Sequence, residues 1–281
     1  MSLDPDHLRR HLTRRRVIAV HDGVRSERPD DLATEEPMEI RVQGPGSDPV
    51  SVAVTMRTPG SDFELAAGFL FTEGLIEDRD DLRRVSYCED LPAGEQHHNV
   101  VTVSLTRAIG PEVLRRNFFA SSSCGICGKA TLEQIEVRCR PVAAGPVLKA
   151  ETIARLPEGL RKAQKVFDRT GGLHAAGLFA SDGTLLALRE DVGRHNAVDK
   201  VVGEAVFAGG LPLADRVLQV SGRLSFEIVQ KAARAGIALV SAVSAPSSLA
   251  VETAERLGMT LVGFVRDGRF NVYTHPDRIA T

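Results

Sequence analysis

The sequence contains no tryptophan, only 5% aromatic residues and four cysteines in 281 residues. So few cysteines in a chain of this length do not form a disulfide framework, which favours a reducing compartment. No apolar run is long enough to span a bilayer, and the basic N-terminus lacks the apolar segment of a secretory signal. We therefore expect a cytoplasmic protein that has no membrane segment.

The chain also lacks a strong net charge. Its 35 Lys and Arg residues against 37 Asp and Glu residues give a formal net charge of −2. Without a global basic field, nothing in the composition argues for nucleic-acid binding. A hydrophobic content of 43% is ordinary for a globular protein, and the length suits one large domain or two modest ones.

What the sequence does contain is a close pair of cysteines. Cys124 and Cys127 lie in the segment SSSCGICGK, residues 121–129. The flanking Ser and Gly residues leave the sulfurs accessible, as in an exposed loop. Lys129, or the N-terminus of a helix that follows, would lower the pKa of a nearby thiol and so favour the thiolate. The segment therefore predicts a loop that presents reactive sulfur.

The residues alone leave several interpretations of this CxxC loop open. A structural zinc site needs two close ligand pairs, whereas Cys88 and Cys139 are isolated, so we expect no metal site. A disulfide redox motif usually opens a helix near a Trp or Pro. A sulfur-relay cysteine that carries a persulfide is the third interpretation. A plain surface loop with inert thiols is the fourth.

The chain is expected to form two parts. Prolines and glycines at residues 140–146 predict a boundary near residue 145. Residues 1–145 predict a β-rich N-terminal subdomain that ends in the CxxC loop. Residues 146–281 alternate strands with helices, which predicts a layered sheet with a partly parallel core. The expected class is α/β, or α+β for the chain as a whole.

Three local predictions in the N-terminal part depend on composition. Residues 1–16 are polar and predict a solvated arm. Residues 30–37 are acidic and predict a turn. Residues 38–42 and 50–56 predict a hairpin, followed by a helix that begins near Ser61 or Asp62.

Five polar clusters in the second half follow predicted strands or precede predicted helices. Ligand sites in open α/β sheets lie at the carboxyl ends of strands. Arginines, hydroxyls and helix N-termini together suit a phosphate group. No cluster matches a Walker loop or a GxGxxG fingerprint. The clusters are residues 172–176, 189–196, 221–225, 244–248 and 264–269.

Six segments resemble, in order along the chain, the FdhD family of formate dehydrogenase accessory proteins. They are RTPGSDFELAAGFLFTEGLI (57–76), SSSCGICGK (121–129), TGGLHAAGLF (170–179), REDVGRHNAVDK (189–200), SGRLSFEIVQKA (221–232) and SAPSSLAVETAERLGMTLVGFVRDGRFNVYT (244–274). The resemblance covers nearly the whole chain and is far more specific than a lone CxxC.

The resemblance implies a sulfur carrier. A cysteine desulfurase delivers sulfane sulfur to it, and it passes the sulfur to the molybdenum (or tungsten) bis(molybdopterin guanine dinucleotide) cofactor before insertion into the formate dehydrogenase catalytic subunit. Cys124 would carry the persulfide, with Cys127 assisting. Guanine nucleotides would bind as fragments of the cofactor. The implied cofactor-binding residues are Phe264, Val265, Arg266, Asp267, Gly268 and Arg269.

The resemblance further implies a homodimer and a second half similar to the cytidine deaminase core. Deaminases need His-x-Glu followed by CxxC to bind and use zinc. Here His174-Ala175-Ala176 has alanine where the glutamate would stand, and the CxxC precedes the histidine. We therefore expect neither deamination nor zinc. Two other functions stay open: a cofactor-binding chaperone without sulfur transfer, and a CxxC disulfide oxidoreductase.

Overall fold

The computed structural model describes residues 11–88, 98–110 and 141–280. The strands of the first half are β1 (Leu12–His21), β2 (Val24–Ala33), β3 (Glu36–Gln43), β4 (Val50–Arg57), β5 (Leu82–Tyr87) and β6 (Val100–Leu105). Those of the second half are β7 (Leu148–Lys149), β8 (His174–Phe179), β9 (Leu185–Asp191), β10 (Val217–Val220), β11 (Leu239–Ala242), β12 (Thr260–Arg266), β13 (Arg269–Thr274) and β14 (Ile279–Ala280). The α-helices are α1 (Asp62–Thr72), α2 (Ala150–Ala163), α3 (Lys165–Thr170), α4 (Arg194–Ala208), α5 (Phe226–Arg234) and α6 (Ser248–Arg256).

A four-stranded sheet with the order β4-β3-β6-β5 forms the core of the first half. β3 pairs with β4 in antiparallel fashion, which confirms the predicted hairpin, and pairs with β6 in parallel. Met38, Ile40 and Val42 alternate along β3 and are all buried. This period of two places one face of the strand against the hydrophobic core.

A two-stranded ribbon formed by β1 and β2 precedes this sheet. Its turn, Asp22-Gly23, has two residues with φ of 50° and 79°, as hairpins of the primed type require. The predicted solvated arm is therefore wrong for residues 12–16, and the predicted acidic turn is wrong for most of residues 30–37. Both strands are largely solvent-exposed. A strand without a buried face need not alternate apolar and polar residues, and this alternation is the pattern from which strands are predicted.

The second half is built on a six-stranded sheet with the order β13-β12-β11-β10-β8-β9. β10, β11 and β12 run parallel, whereas β8, β9 and β13 pair in antiparallel fashion. The predicted α/β class with a partly parallel sheet is confirmed. The finer likeness to a cytidine deaminase core stays a prediction.

Helices cover both faces of this sheet. Leu218 and Val220 pack with residues of α4, α5 and α6 in one hydrophobic cluster. Val217, which precedes Leu218 in β10, points to the opposite face, where it packs with residues of α2, including Leu156. Because successive side chains of a strand point to opposite faces, the sheet is the middle layer of three.

Helices α1 and α4 join the first half to the second half through one shared core. They cross at two glycines: a Cβ on Gly68 would overlap the carbonyl oxygen of Asp199, and a Cβ on Gly203 would overlap that of Glu64. The two backbones therefore touch directly at this crossing. The predicted boundary near residue 145 stays a prediction.

Candidate functional site

The five predicted polar clusters lie along one edge of the six-stranded sheet. β10, β11 and β12 are parallel, so the loops that follow them meet at the same edge. β8 begins there, since Ala176 pairs with Val220. β9 ends there, since Asp191 pairs with His174. This shared edge, here called the cleft, brings together groups that are far apart in the sequence, as the polar clusters at strand ends predict.

Hydrogen bonds of the main chain and of one serine hydroxyl tie these loops to one another. Ser221 donates its N–H to the carbonyl of Ala175 at 3.0 Å, and its Oγ accepts from the N–H of Ala175 at 2.8 Å. Leu224 donates to the carbonyl of Ala245 at 3.1 Å. Phe264 donates to the carbonyl of Ser244 at 3.2 Å. The edge is therefore a connected surface rather than a set of separate loops.

Two histidines at this edge are held in the neutral form. Burial, followed by the charge of Arg194, lowers the pKa of His174. Burial, followed by the charges of Lys231 and Arg194, lowers the pKa of His195 to about 4. The Nε2 atom of His195 lies 3.2 Å from the Oγ of Ser225. At neutral pH the positive charge at this edge therefore comes from arginines.

Arg194, the first residue of α4, is such an arginine. Its Nε is buried and, in the described part of the chain, has no hydrogen-bond partner. Gly222 lies close to both Arg194 and His174. A Cβ added to Gly222 would lie 3.3 Å from the Nδ1 of His174 and 3.9 Å from the Cδ of Arg194. An unpaired guanidinium N–H is costly when buried. An anionic ligand group at this edge would satisfy it, so the residues present suit a phosphate.

The start of α4 is fixed by a buried ion pair. The Nζ of Lys200 lies 2.6 Å from the Oδ2 of Asp191 and donates to the carbonyl of Thr58 at 2.9 Å. Asp191 also accepts from the N–H groups of Thr58 and Gly193. These contacts fix the loop that carries Arg194 and His195 against the loop that follows β4.

A cavity of about 640 Å³ opens at this edge on the α2 side of the sheet. His174 and Ser221 line it together with apolar residues, including Leu160 and Phe167. The guanidinium carbon of Arg161 stacks over the ring of Phe167 at 4.6 Å from its centroid. The cavity thus combines flat apolar walls with a few polar groups, as small-molecule sites do.

A second cavity, of about 530 Å³, lies on the opposite face between β4, α1, α4 and α5. Lys231 lines it and is buried; its Nζ lies 2.9 and 3.0 Å from the two carboxylate oxygens of Asp199 and 2.9 Å from the Oγ1 of Thr72. Burial alone lowers the pKa of Lys231, but Asp199 and Glu73 raise it more. Lys231 therefore stays charged, and its ion pair holds three helices together beneath the cavity.

The residues predicted to bind the cofactor, 264–269, cover the end of β12, the Asp267-Gly268 turn and the first residue of β13. Arg266 and Arg269 are directly cross-strand and exposed, so both guanidinium groups lie on one side. Asp267 and Gly268 make the turn with φ of 53° and 73°. The Arg266 guanidinium carbon lies 5.9 Å from the centre of the Phe264 ring. This arrangement suits contact with a phosphate and a flat base.

Val265 differs from the other predicted cofactor-binding residues. Its side chain is fully buried and packs with the cluster on the α2 side of the sheet. Only its main chain is therefore placed to meet a ligand. Phe264, which precedes it, has a φ of 54° at a β-bulge, and this left-handed conformation turns the strand at the cleft.

Cys124 and Cys127, predicted to carry and assist sulfur transfer, lie outside the described residues, as does all of the loop 121–129. Their roles stay predictions. Among the residues that the structure does describe, no group of three or more His, Cys, Asp or Glu side chains is placed to hold a metal ion.

Sequence reasoning missed the buried charges that hold the cleft in place. Asp199 and Lys200 stand within the apolar run AVDKVV of α4, and Lys231 stands within IVQKAA of α5. Charged residues at helix positions that pattern as core are rarely buried unless paired. Charged residues at apolar helix positions therefore indicate buried ion pairs. The sequence does not show which residue pairs with which.

Comparison with known proteins places the chain in a family. A family model described as the FdhD/NarQ family matches residues 33–280. This match covers nearly all of the chain. The chain belongs to the FdhD/NarQ family.

FdhD proteins of several microorganisms are similar to it along almost their whole length. A sulfur carrier protein FdhD of Mycolicibacterium paratuberculosis is 54% identical over 275 residues, 95% of this chain and 98% of that protein. One of Streptomyces coelicolor is 52% identical over 273 residues, 95% of each chain. One of Sulfolobus acidocaldarius is 46% identical over 264 residues, 94% of this chain and 97% of that protein.

A crystal structure from Desulfotalea psychrophila shares the fold of this FdhD/NarQ chain. That protein, provisionally described as a formate dehydrogenase accessory protein, superposes with a TM-score of 0.74 at 26% identity. The likeness covers 96% of this chain and 99% of that one. In the part of the chain that the structure describes, no helix combines the length and apolar character needed to cross a membrane.

Proposed function

We propose that this protein is a sulfur carrier that serves formate dehydrogenase. It takes sulfane sulfur from a cysteine desulfurase and passes it to the bis(molybdopterin guanine dinucleotide) cofactor, the acceptor substrate, before that cofactor enters the catalytic subunit. The main support for the proposal is the sequence similarity to sulfur carrier proteins FdhD, with 54% identity over 95% of this chain for one of them. The reducing cytoplasm, which keeps thiols reduced, is where we place this reaction.

The proposed loading step needs one thiolate. The thiolate of Cys124 attacks the outer sulfur of the persulfide on the desulfurase. A new sulfur–sulfur bond forms, the donor's own sulfur–sulfur bond breaks, and the donor cysteine leaves as a thiolate. Cys124 then holds the persulfide. We propose that Lys129, which follows Cys124 by five positions in the sequence, favours the attacking thiolate by lowering its pKa.

The proposed release step uses the second cysteine. The thiolate of Cys127 attacks the inner sulfur of the Cys124 persulfide and forms a disulfide. The outer sulfur leaves as sulfide and becomes a ligand of the acceptor's metal. A thiol reductant returns the disulfide to two thiols, which balances the cycle.

Described residues support the acceptor part of the proposal. The sheet edge offers the unsatisfied guanidinium N–H of Arg194, and the turn at residues 266–269 offers two further arginines. A pyrophosphate-bearing guanine dinucleotide needs charge-assisted donors of this kind. Neutral His174 and His195 add no repulsion to a metal-bearing acceptor at neutral pH.

The loading step is tested by mass. The protein is incubated with cysteine and a cysteine desulfurase, alkylated, and its intact mass is measured. We expect the addition of one sulfur atom. A loss of two hydrogens instead would indicate a disulfide oxidoreductase, and an unchanged mass would indicate a cofactor chaperone without sulfur transfer.

A second experiment tests the acceptor site with GDP as a fragment of the cofactor. GDP should bind more tightly than ADP, because Asp267 accepts from the N1 and N2 donors of guanine. The variant Arg266→Ala/Arg269→Ala should weaken GDP binding by about 2–4 kcal/mol, since two charge-assisted contacts are lost. Calorimetry measures both effects.

Arg216→Ala is the matched control, because Arg216 directly precedes β10 and so lies at the opposite edge of the sheet. It should leave GDP affinity unchanged. Equal affinity for GDP and ADP, or no loss in the double variant, would place the guanine site elsewhere in the cleft.

A further inference from the structure

The cavity of about 640 Å³ on the α2 side of the sheet is used by none of the sulfur steps above. It lies between α2, α3 and the edge at which β10 and β11 end. Its volume falls within the range of small-molecule sites. Much of its wall is apolar and comes from Pro157, Leu160, Phe167, Leu173 and Val243. The cavity therefore has the size and the walls to hold a ring.

The charged side chains that line the cavity are already paired. Arg161 forms an ion pair with Asp168, and the carboxylate of Glu158 lies 2.6 Å from the Nζ of Lys162. Burial lowers the pKa of His174, so this histidine is neutral at pH 7. The described lining residues therefore favour an uncharged ligand over an anion or a cation.

Gln164 supplies a buried hydrogen-bonding group to this wall. It lies between α2 and α3 and is only 3% exposed. Its Nε2 makes no hydrogen bond within the described part of the chain. The carboxylate of Glu190 lies close to the amide, but its two oxygens accept from the N–H groups of Val166 and Phe167 at 3.0 and 2.8 Å. An amide nitrogen has two N–H donors, so at least one remains for a ligand.

The chemistry of this wall is complementary to a planar lactam. The Gln164 N–H can donate to a ring carbonyl while the Gln164 carbonyl accepts from the neighbouring ring N–H. The Oγ of Ser221 accepts from the N–H of Ala175 at 2.8 Å, which leaves its O–H to donate. Phe167, with the Arg161 guanidinium carbon 4.6 Å from its ring centre, offers a flat surface on which a ring can stack.

The cavity lies on the same sheet edge as the turn at residues 264–269. That turn is at the end of β12, and the cavity opens beside His174 at the start of β8. β11 and β10 lie between these two strands. The two positions are therefore roughly 14 Å apart, at a strand spacing of about 4.8 Å. Arg194 is at this edge too, near Gly222 and His174. An extended dinucleotide arm with its phosphates near Arg194 can thus reach both positions.

We propose that this cavity binds the pterin ring of the acceptor substrate, while the turn at residues 264–269 binds its guanine. The pterin ring is uncharged, planar and bears a lactam, which are the three properties that the wall favours. Gln164 binds the lactam edge and Phe167 stacks on the ring. The inference rests on the proposed function, because it assigns a site to a second part of the same acceptor.

Free pterin, the ring without its nucleotide, tests the cavity. The chain has no tryptophan, so fluorescence anisotropy of pterin measures binding without overlapping indole emission. Pterin should bind the wild type, and saturating GDP should not displace it, since the two rings occupy different sites. Gln164→Leu keeps a side chain of similar size but removes two hydrogen bonds to the lactam. The dissociation constant for pterin should rise about tenfold or more in this variant.

Two further variants make this result specific. Phe167→Leu keeps an apolar side chain but removes the flat surface, so the dissociation constant for pterin should rise about fivefold. Gln43→Leu is the matched control, because it makes the same substitution at a half-buried residue of β3, outside the cavity. It should leave pterin affinity unchanged. All three variants should bind GDP like the wild type, which shows that their fold is retained.

Three outcomes of these titrations would overturn the inference. They are absence of pterin binding to the wild type, displacement of pterin by GDP, and unchanged pterin affinity in Gln164→Leu. The second would mean that pterin occupies the guanine site and not the cavity.

A functional measurement separates the acceptor's pterin from a free pterin, which shares its chemistry. In a strain that carries only Gln164→Leu, formate dehydrogenase activity should fall, whereas the purified variant should still gain one sulfur atom by mass, because loading needs no acceptor. Full activity in a variant that has lost pterin binding would show that the cavity takes a free pterin, and would overturn the assignment to the acceptor. Failure of the wild type to gain sulfur would instead contradict the relay, so the two failures are distinguishable.

Discussion

Replacing Cys124 by alanine should abolish persulfide formation on this protein and, with it, activation of formate dehydrogenase. The proposed reaction forms a bond between a thiolate and sulfane sulfur, and alanine has no group that can make it. The expected loss is therefore complete in both assays. The intact mass after incubation with a desulfurase measures sulfur loading. Activation of the dehydrogenase is measured as formate dehydrogenase activity in a strain that carries only the variant.

Two further cysteine variants make this result specific. Cys127→Ala should still gain the sulfur atom, because loading needs one thiolate, but should activate the dehydrogenase less well. Cys88→Ala is the matched control: Cys88 directly follows β5, outside the CxxC loop, and its loss should change neither readout. A Cys124→Ala protein that still gains sulfur and still activates the dehydrogenase would overturn the relay.

Much of the fold could be predicted from local patterns. β6, whose sequence is VVTVSL, buries every second residue as its β-branched run predicts, because alternation with one buried face is a direct sequence signal. The cleft could be predicted because parallel strands bring their carboxyl ends to one edge. That rule gathers residues from five separate segments without any knowledge of their contacts.

The ribbon could not be predicted in the same way. In β1, arginines precede apolar residues that are themselves exposed, so the sequence shows no buried face. Its pairing depends on cross-strand partners in β2, such as Arg15 with Asp30. Such pairs are defined by the register, which follows from the turn at Asp22-Gly23 and not from either strand alone.

The pairing of buried charges could not be predicted either. Lys231 pairs with Asp199, a residue 32 positions away on another helix. The sequence shows two charges at core positions, but only the crossing of the helices decides the partner. The same holds for Lys200, which pairs with Asp191 at the end of β9 rather than with an acidic residue on its own helix.

The close crossing of α1 and α4 predicts that the variant Gly68→Ala is less stable than the wild type. Helix propensity alone predicts a gain of about 1 kcal/mol, since glycine is poor in a helix interior. The structure predicts the opposite, because the added Cβ would overlap the Asp199 carbonyl and come within 2.8 Å of the Gly203 nitrogen. These are backbone atoms, so the helices themselves must separate.

Overpacking of this kind costs about 3 kcal/mol or more, so the free energy of unfolding should fall by about 2 kcal/mol or more after the propensity gain is subtracted. Gly203→Ala should behave alike, because its Cβ would overlap the Glu64 carbonyl. The double variant should lose less than the sum, since one separation of the helices accommodates both methyl groups. Urea denaturation measures all three.

Gly210→Ala is the control, since the nearest atom to its Cβ lies 3.7 Å away. A neutral or stabilising Gly68→Ala would show that α1 and α4 do not cross backbone to backbone.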